Sequence, residues 1–372
     1  MTRTAIGIGT ICVSVALAWA AEKAPATKPA AQPQVEVAFV MDTTGSMSGL
    51  IAGAKAKIWQ IANQVLTGKP RPKVRIALVP YRDKGDDYVT KVYDLSDNID
   101  QVYQDLMTFQ ASGGGDGPEN VNQALHDAVN KIKWSPDRGT LKIIYLVGDW
   151  PPHNEYQDVP TYDKIAHQAI TKGIYINAVL CGNNAEARKV WTEVARAAEG
   201  TFVAIDQGGG VKEIPTPYDE ELAKLNNSLA GTVVIFGDEG RRRSLDMLAA
   251  SATTMPTAAR AERAGYALRS GKAATGDLLD AVREEKLDLA KVKEAELPEP
   301  MQKMTPAERT KHVAELQAKR DGIYKQIGEL TAKRDKFLKD KLADTAGAKD
   351  GFDAQVFEGL KVQAAKKGIT YK

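Results

Sequence analysis

The stretch VAFVMDTTGSM, Val37 to Met47, runs from a continuous apolar segment straight into a carboxylate, two hydroxyls and a glycine. An apolar run of this kind, rich in β-branched residues, reads as a buried strand. Asp42 then stands on its lip, with Thr44 and Ser46 at alternate positions beyond it. Two explanations compete. A Ser or Thr before a helix can cap an orphan amide and needs no metal. The same oxygens together with Asp42 can instead form half of a divalent-cation site.

Outward from this stretch, strands and helices alternate. Apolar runs recur at 35–41, 73–80, 141–148, 174–181 and 201–205, with helical patterns at about 48–66, 98–110, 119–133, 161–172 and 184–198. The piece YVTKVYDL, after the turn signals of RDKGDD, fits an edge strand. Strands that are apolar throughout, each followed by a helix, imply a mostly parallel sheet covered on both faces, a doubly wound α/β fold. Ligands in such folds sit outside the carboxyl ends of the strands. Asp42, Asp83 and Asp149 each end a strand, so three carboxylates are expected on one rim. The loop ASGGGDGPENVNQAL adds Asp116 at the threshold of a helix, where Asp116 and Glu119 also fit a capping box.

Together these loops resemble the von Willebrand factor type A (VWA) domain and its metal-ion-dependent adhesion site, over roughly residues 35–206. The family motif Asp-x-Ser/Thr-x-Ser is met by Asp42, Thr44 and Ser46, and its third-loop aspartate by Asp149. The family usually supplies a threonine between them. This chain offers Asp116, in a GGGD-x-PE arrangement similar to that of hemicentin-like and bacterial members. The resemblance implies a Rossmann-like sheet and a divalent cation held by Asp42, Thr44, Ser46, Asp116 and Asp149, the two outer aspartates acting through bound water. Oxygen donors alone select hard cations, Mg²⁺ first, with Mn²⁺ or Ca²⁺ as alternatives. Asp116 in place of threonine adds negative charge, which favours the cation and weakens its demand for an acidic partner.

The remaining sequence bounds the function. The chain has 372 residues, 43% hydrophobic and 26% charged, with a formal charge of +2, which gives no argument for a nucleic-acid partner. Arg3 before the apolar run AIGIGTICVSVALAWA, ending in the small-x-small Ala18-Trp19-Ala20, reads as a secretory signal peptide over residues 1–20. The expectation is an exported protein, periplasmic or extracellular, of a bacterial envelope, touching membrane only through that segment. Residues 21–34 read as an Ala/Pro/Lys spacer. Cleavage after Ala20 leaves Cys181 as the one thiol, so no internal disulfide is expected.

Domain boundaries are expected at 35–210 for the α/β domain, 211–300 for a helical extension and 301–372 for a smaller all-α, partly coiled-coil region. Thr305, Pro306 and Glu308 open a long helix with a capping box. Leu316, Ile323, Leu330 and Phe337 form a seven-residue column, flanked by the mixed column Val313, Arg320, Ile327, Arg334. Self-association through this tail stays open, and truncation at Pro300 is expected to leave the α/β domain folded.

The leading function is therefore a metal-dependent protein-binding module and not an enzyme. A hydrolase using the same carboxylates is the rival, opposed by the lack of zinc-spaced His or Cys and of a base beside a nucleophile. A scaffold assembled through the tail is the third reading. No Gly-Lys-Ser/Thr follows the triple glycine, so nucleotide binding is unsupported.

Overall fold

The computed structural model describes residues 32–115, 117–210, 214–343 and 351–371. The signal-peptide reading, most of the spacer and Asp116 fall outside these residues. Residues 32 onward form one compact unit. Among the described residues, no helix is long and apolar enough to cross a membrane.

Six strands appear where the apolar runs predict them: β1 (Gln34–Asp42), β2 (Lys73–Tyr81), β3 (Tyr93–Ser96), β4 (Leu141–Gly148), β5 (Ile174–Cys181) and β6 (Phe202–Ile205). Their spatial order is β3-β2-β1-β4-β5-β6, and every pairing is parallel except β2 with the short edge strand β3. The chain winds outward from β1 in one direction, then returns to β4 and winds in the other. The order therefore reverses between β1 and β4, which opens a crevice at their carboxyl ends.

The period-2 geometry of β1 divides the core. Val35, Val37, Phe39 and Met41 face one layer, packed by α1 (Ser48–Val65) and α2 (Ile99–Met107). Ala38 and Val40 face the other, packed by α3 (Val121–Asn130), α4 (Tyr162–Thr171) and α5 (Ala185–Ala197). Cys181 is buried in the first layer, as its place at the end of an apolar run predicts.

After β6 the chain leaves through Gly209 and Gly210, whose positive φ values of 84° and 60° suit glycine. It then builds α6 (Asp219–Ala230), α7 (Glu239–Ser251), α8 (Thr257–Ser270), α9 (Leu278–Arg283), α10 (Glu299–Gln302) and α11 (Pro306–Ala343). It returns to where it left: the backbone N–H of Phe352 donates to the Gly209 carbonyl at 3.0 Å. From there α12 (Phe352–Ala365) lays Phe352, Val356, Leu360 and Ala364, four residues apart, on the first face of the sheet. The buried amides of Asn177 and Gln363 bond each other reciprocally, at 3.0 and 2.6 Å. The Tyr145 hydroxyl donates to the Val356 carbonyl, and Lys69 and Thr370 exchange backbone bonds of 2.9 Å.

The packing thus differs from the expected serial division. Residues beyond 210 are not a tail that follows a finished domain. The helices from α6 to α11 form an insertion, and the last helix belongs to the sheet. The expectation that truncation at Pro300 leaves the α/β domain folded is corrected for the same reason, because the truncation removes α12 from the layer that covers the first face of the sheet.

The long helix α11 is continuous as predicted, and its capping box is present: Thr305 N donates to Glu308 Oε2 at 2.8 Å and Glu308 N to Thr305 Oγ1 at 3.3 Å. Its buried side matches the expected column only in part. Ile323 is buried, but Leu316, Leu330 and Phe337 are only half-buried, whereas the mixed column Val313, Arg320, Ile327 and Arg334 is buried throughout. Arg320 reaches Asp277, Asp280 at 3.1 Å and the Thr232 carbonyl at 2.7 Å. Arg334 bonds Asp219 at 2.7 Å and Glu262 at 2.6 Å. The arginines are buried because the insertion brings carboxylates to them from other helices.

Candidate metal centre

Asp42 is fully buried at the end of β1. The backbone N–H and the hydroxyl of Thr44 both donate to its Oδ1, at 2.8 and 2.7 Å. The Thr44 and Ser46 hydroxyl oxygens lie 3.5 Å apart. A short 3-10 turn, Gly45–Met47, leads into α1, and Thr44 at its start makes no side-chain capping bond. The cap explanation of these hydroxyls therefore fails. The Thr44 hydroxyl is turned to Asp42, with that of Ser46 beside it.

The glycine loop closes over this turn. Gly45 N donates to the Gly113 carbonyl at 3.2 Å, and Ser112 N to the Thr43 carbonyl at 3.1 Å. Gly114, at φ +77°, passes so close that a Cβ there would lie 3.0 Å from Glu119 Oε1 and 3.2 Å from Thr44 Cβ. Asp86 holds the loop from the far side, accepting from Gly114 N at 3.1 Å. Arg82 braces it from below, donating to the carbonyls of Thr43 at 3.2 Å and Gln110 at 2.8 Å. Arg82 also pairs with Asp87, at 3.4 Å.

The third loop joins by backbone pairing. Glu119 N donates to the Pro151 carbonyl at 3.2 Å, and His153 N to the Glu119 carbonyl at 3.1 Å. Asp149, directly after β4, accepts from Gln207 Nε2 at 2.7 Å through Oδ2. The register of β1 on β4 pairs Met41 with Val147, so Asp42 and Asp149 emerge side by side at the strand-order reversal. His153 is buried and stacks on Tyr156 with ring centroids 4.5 Å apart, as a loop-packing residue.

The structure thus brings Asp42, Thr44, Ser46 and Asp149 to one rim, with Asp116 outside the described residues. Two contributors were missed. Glu119 is buried beside Thr44, and the residue that caps α3 is Asn120, whose side chain accepts from Gln123 N. The Pro-Glu of the loop motif was the available signal for Glu119. Gln207 has no local signal, because only the return of β6 to the rim brings it to Asp149.

The electrostatics are those of an uncompensated site. Burial pushes the Asp42 carboxyl up to about 7; the Thr44 bonds oppose this and the charge of Asp149 adds to it. Burial, then the charges of Asp42, Asp83 and Asp86, push Glu119 up to about 9. Asp42 Oδ2, Asp149 Oδ1 and Glu119 Oε2 are buried and have no hydrogen-bond partner. Such orphaned oxygens are costly unless something binds them. Among the described residues, no three His, Cys, Asp or Glu side chains form a metal cage. The donors that converge are two aspartates and two hydroxyls, an all-oxygen set suited to a hard cation.

Residues 36–212 match the family model of the von Willebrand factor A domain. This part of the chain is a VWA domain. Von Willebrand factor A domain-containing protein 7 of Rattus norvegicus is 39% identical over 97 residues, 26% of this chain and 10% of that protein. The chain therefore spans about a tenth of the length of that curated relative. Among solved structures, proximal thread matrix protein 1 from the mussel byssus is similar over 48% of this chain and 44% of its own, with 15% identity and a TM-score of 0.38. The SpRpn10 VWA domain is similar over 47% of this chain and 88% of its own, with 12% identity and a TM-score of 0.37.

Proposed function

We propose that the VWA domain of this chain binds a protein partner through a divalent cation held on the carboxyl rim of the sheet. The observation that carries the reading is the pair of orphaned buried oxygens on Asp42 and Asp149, gathered at the strand-order reversal. Thr44 and Ser46 would offer hydroxyls to the ion, and Asp42 and Asp149 would hold it by charge, with Asp116 as the expected contribution of the glycine loop. The cation would neutralise the carboxylates and keep coordination positions free for a partner. Mg²⁺ fits this hard-oxygen set first, with Mn²⁺ or Ca²⁺ as alternatives. Two carboxylates about 4 Å apart at an effective dielectric of about 20 repel by ~4 kcal/mol, which a bound cation reverses.

The reading includes no catalysis: the imidazole nearest the rim, His153, is stacked on Tyr156, bonded to Glu155 and 3.4 Å from the Asp83 carboxylate. It also places the mature protein outside the cytoplasm, on the order of charge, apolar run and small residues before Ala21. The buried side of α11 is occupied within the chain, so the partner is expected at the rim and not along that helix.

The test is calorimetric titration of Mg²⁺, Mn²⁺ and Ca²⁺ into the wild-type protein, Asp42→Ala and Asp149→Ala, together with thermal melts. Free ion at about 100 times its Kd should stabilise the wild type by ~2.7 kcal/mol. Both variants should fold and lose the response. A wild-type protein with no heat and no shift for any of the three ions overturns the proposal.

A further inference from the structure

The rim carries far more negative charge than one cation neutralises. The loops 82–92, 110–120, 149–161 and 206–208 contain nine carboxylates against three Lys or Arg, in a chain whose overall formal charge is +2. Two of these carboxyl groups each keep one buried oxygen unpartnered without being donors of the proposed ion, although Asp83 Oδ2 accepts from the Tyr156 hydroxyl at 2.9 Å. Asp83 is 7% exposed and its Oδ1 has no partner; Glu119 is 2% exposed and its Oε2 has none. A low-dielectric rim lined by one sign of charge attracts the opposite sign over several ångströms.

Beside them stands Trp150, the residue after Asp149 and 41% exposed, which is unusual for so large an apolar side chain. Its six-membered ring covers Gly117: a Cβ on that glycine would lie within 2.4–2.7 Å of three ring atoms. The absence of a side chain at Gly117 lets the indole rest on the glycine loop while part of it faces solvent. An indole at the lip of an acidic rim is the best aromatic platform for a cationic side chain.

We propose that the partner segment taken by this rim is basic, with an Arg or Lys laid over Trp150 and drawn by the carboxylates around it. This rests on the metal-site reading only for the ion's position; it assigns the partner's chemistry, a cationic peptide and not one that offers a carboxylate to the ion. Nine carboxyl groups, less three Lys or Arg, the two charges of one cation and the proton that Glu119 keeps, still leave the rim negative.

Two labelled peptides, alternating Arg-Gly and alternating Glu-Gly, are titrated by fluorescence anisotropy against the full chain in Mg²⁺. The Arg peptide should bind, more weakly as salt rises. Trp150→Ala should cost about two- to fivefold in affinity, the range for an exposed cation–π contact, and Trp150→Phe should recover part of it. Met247→Ala, at an exposed apolar residue on the insertion, should change nothing. Preference for the Glu peptide, or an Arg peptide indifferent to Trp150→Ala, overturns the inference. Calorimetry with Mg²⁺ alone separates the two ideas: no ion heat with intact Arg-peptide binding rejects the metal centre and leaves this inference standing.

Discussion

Ending the chain at residue 350, so that α12 and the last strand-like segment are lost, should unfold the VWA domain even though all six strands remain. Phe352, Val356, Leu360 and Ile369 are each no more than 2% exposed in the layer that packs on β1 and β4. Burying a side chain of this size contributes roughly 1.5–3 kcal/mol, so four contribute roughly 6–12 kcal/mol. Residual compactness of the unfolded chain lowers that figure by about 10–40%. The cut also strands Asn177 and the Tyr145 hydroxyl, which lose Gln363 and the Val356 carbonyl, at about 1–3 kcal/mol for each group left buried. A domain's whole stability is about 5–15 kcal/mol. The loss therefore consumes most or all of it. Urea denaturation followed by circular dichroism is the assay, with Leu360→Ala as a graded arm expected to cost about 2–5 kcal/mol. A truncated protein that unfolds cooperatively within about 1 kcal/mol of the full chain refutes the assignment of α12 to the sheet.

Two further perturbations probe the insertion and the sheet. Arg320→Met should destabilise by about 3–5 kcal/mol in urea, because Asp277 and Asp280 stay buried without their cation; adding Asp277→Asn and Asp280→Asn should restore much of the loss, and an Arg320→Met protein of wild-type stability would remove the ion pair from the account. Gly200→Ala should fail to reach the native fold, since its Cβ would lie 1.8 Å from the Ile176 carbonyl oxygen, whereas Gly322→Ala, with open space on α11, should raise stability by about 0.5–1 kcal/mol; equal thermal melts for the two would contradict the close approach of β5 at Gly200.

The sheet was legible because a strand covered on both faces must be apolar along its whole length, and five such runs stand in sequence. The rim was legible for a related reason. Asp42 and Asp149 each interrupt a buried run with a charge, and the Thr44 and Ser46 spacing cannot be mistaken for core. Glu119 was misread because a Pro-Glu at a helix threshold satisfies the capping-box pattern in sequence alone; in the structure Asn120 caps the helix, and Glu119 Oε1 stands beside the glycine loop and Thr44. The buried column of α11 was misread because an arginine in a heptad core lowers the expectation of burial. That rule assumes the partner is another such helix. Here the carboxylates at Asp219, Glu262, Asp277 and Asp280 arrive from α6, α8 and the start of α9.

The ion pairs that join the insertion to the α/β domain stand at the opposite end of the sheet from the rim. The helices of the insertion meet the sheet where its strands begin: Arg263 pairs with Asp100 at 2.6 Å, Lys272 with Asp97 at 3.0 Å, and Arg71 donates to the Arg269 carbonyl at 2.6 Å. A cavity of about 660 Å³ lies there, lined by Gln34 and Lys73 at the strand starts and by Trp59 and Tyr266. The donors of the proposed cation stand where β1 and β4 end. The large helical insertion is anchored at the strand starts, while its own exit and return beside Gly209 tie it to α12 and so to the layer beneath β1. Charge changes at the rim should therefore leave the insertion's ion pairs untouched, since those pairs draw on its own helices, the start of α2 and, for Lys272, Asp97 just before it.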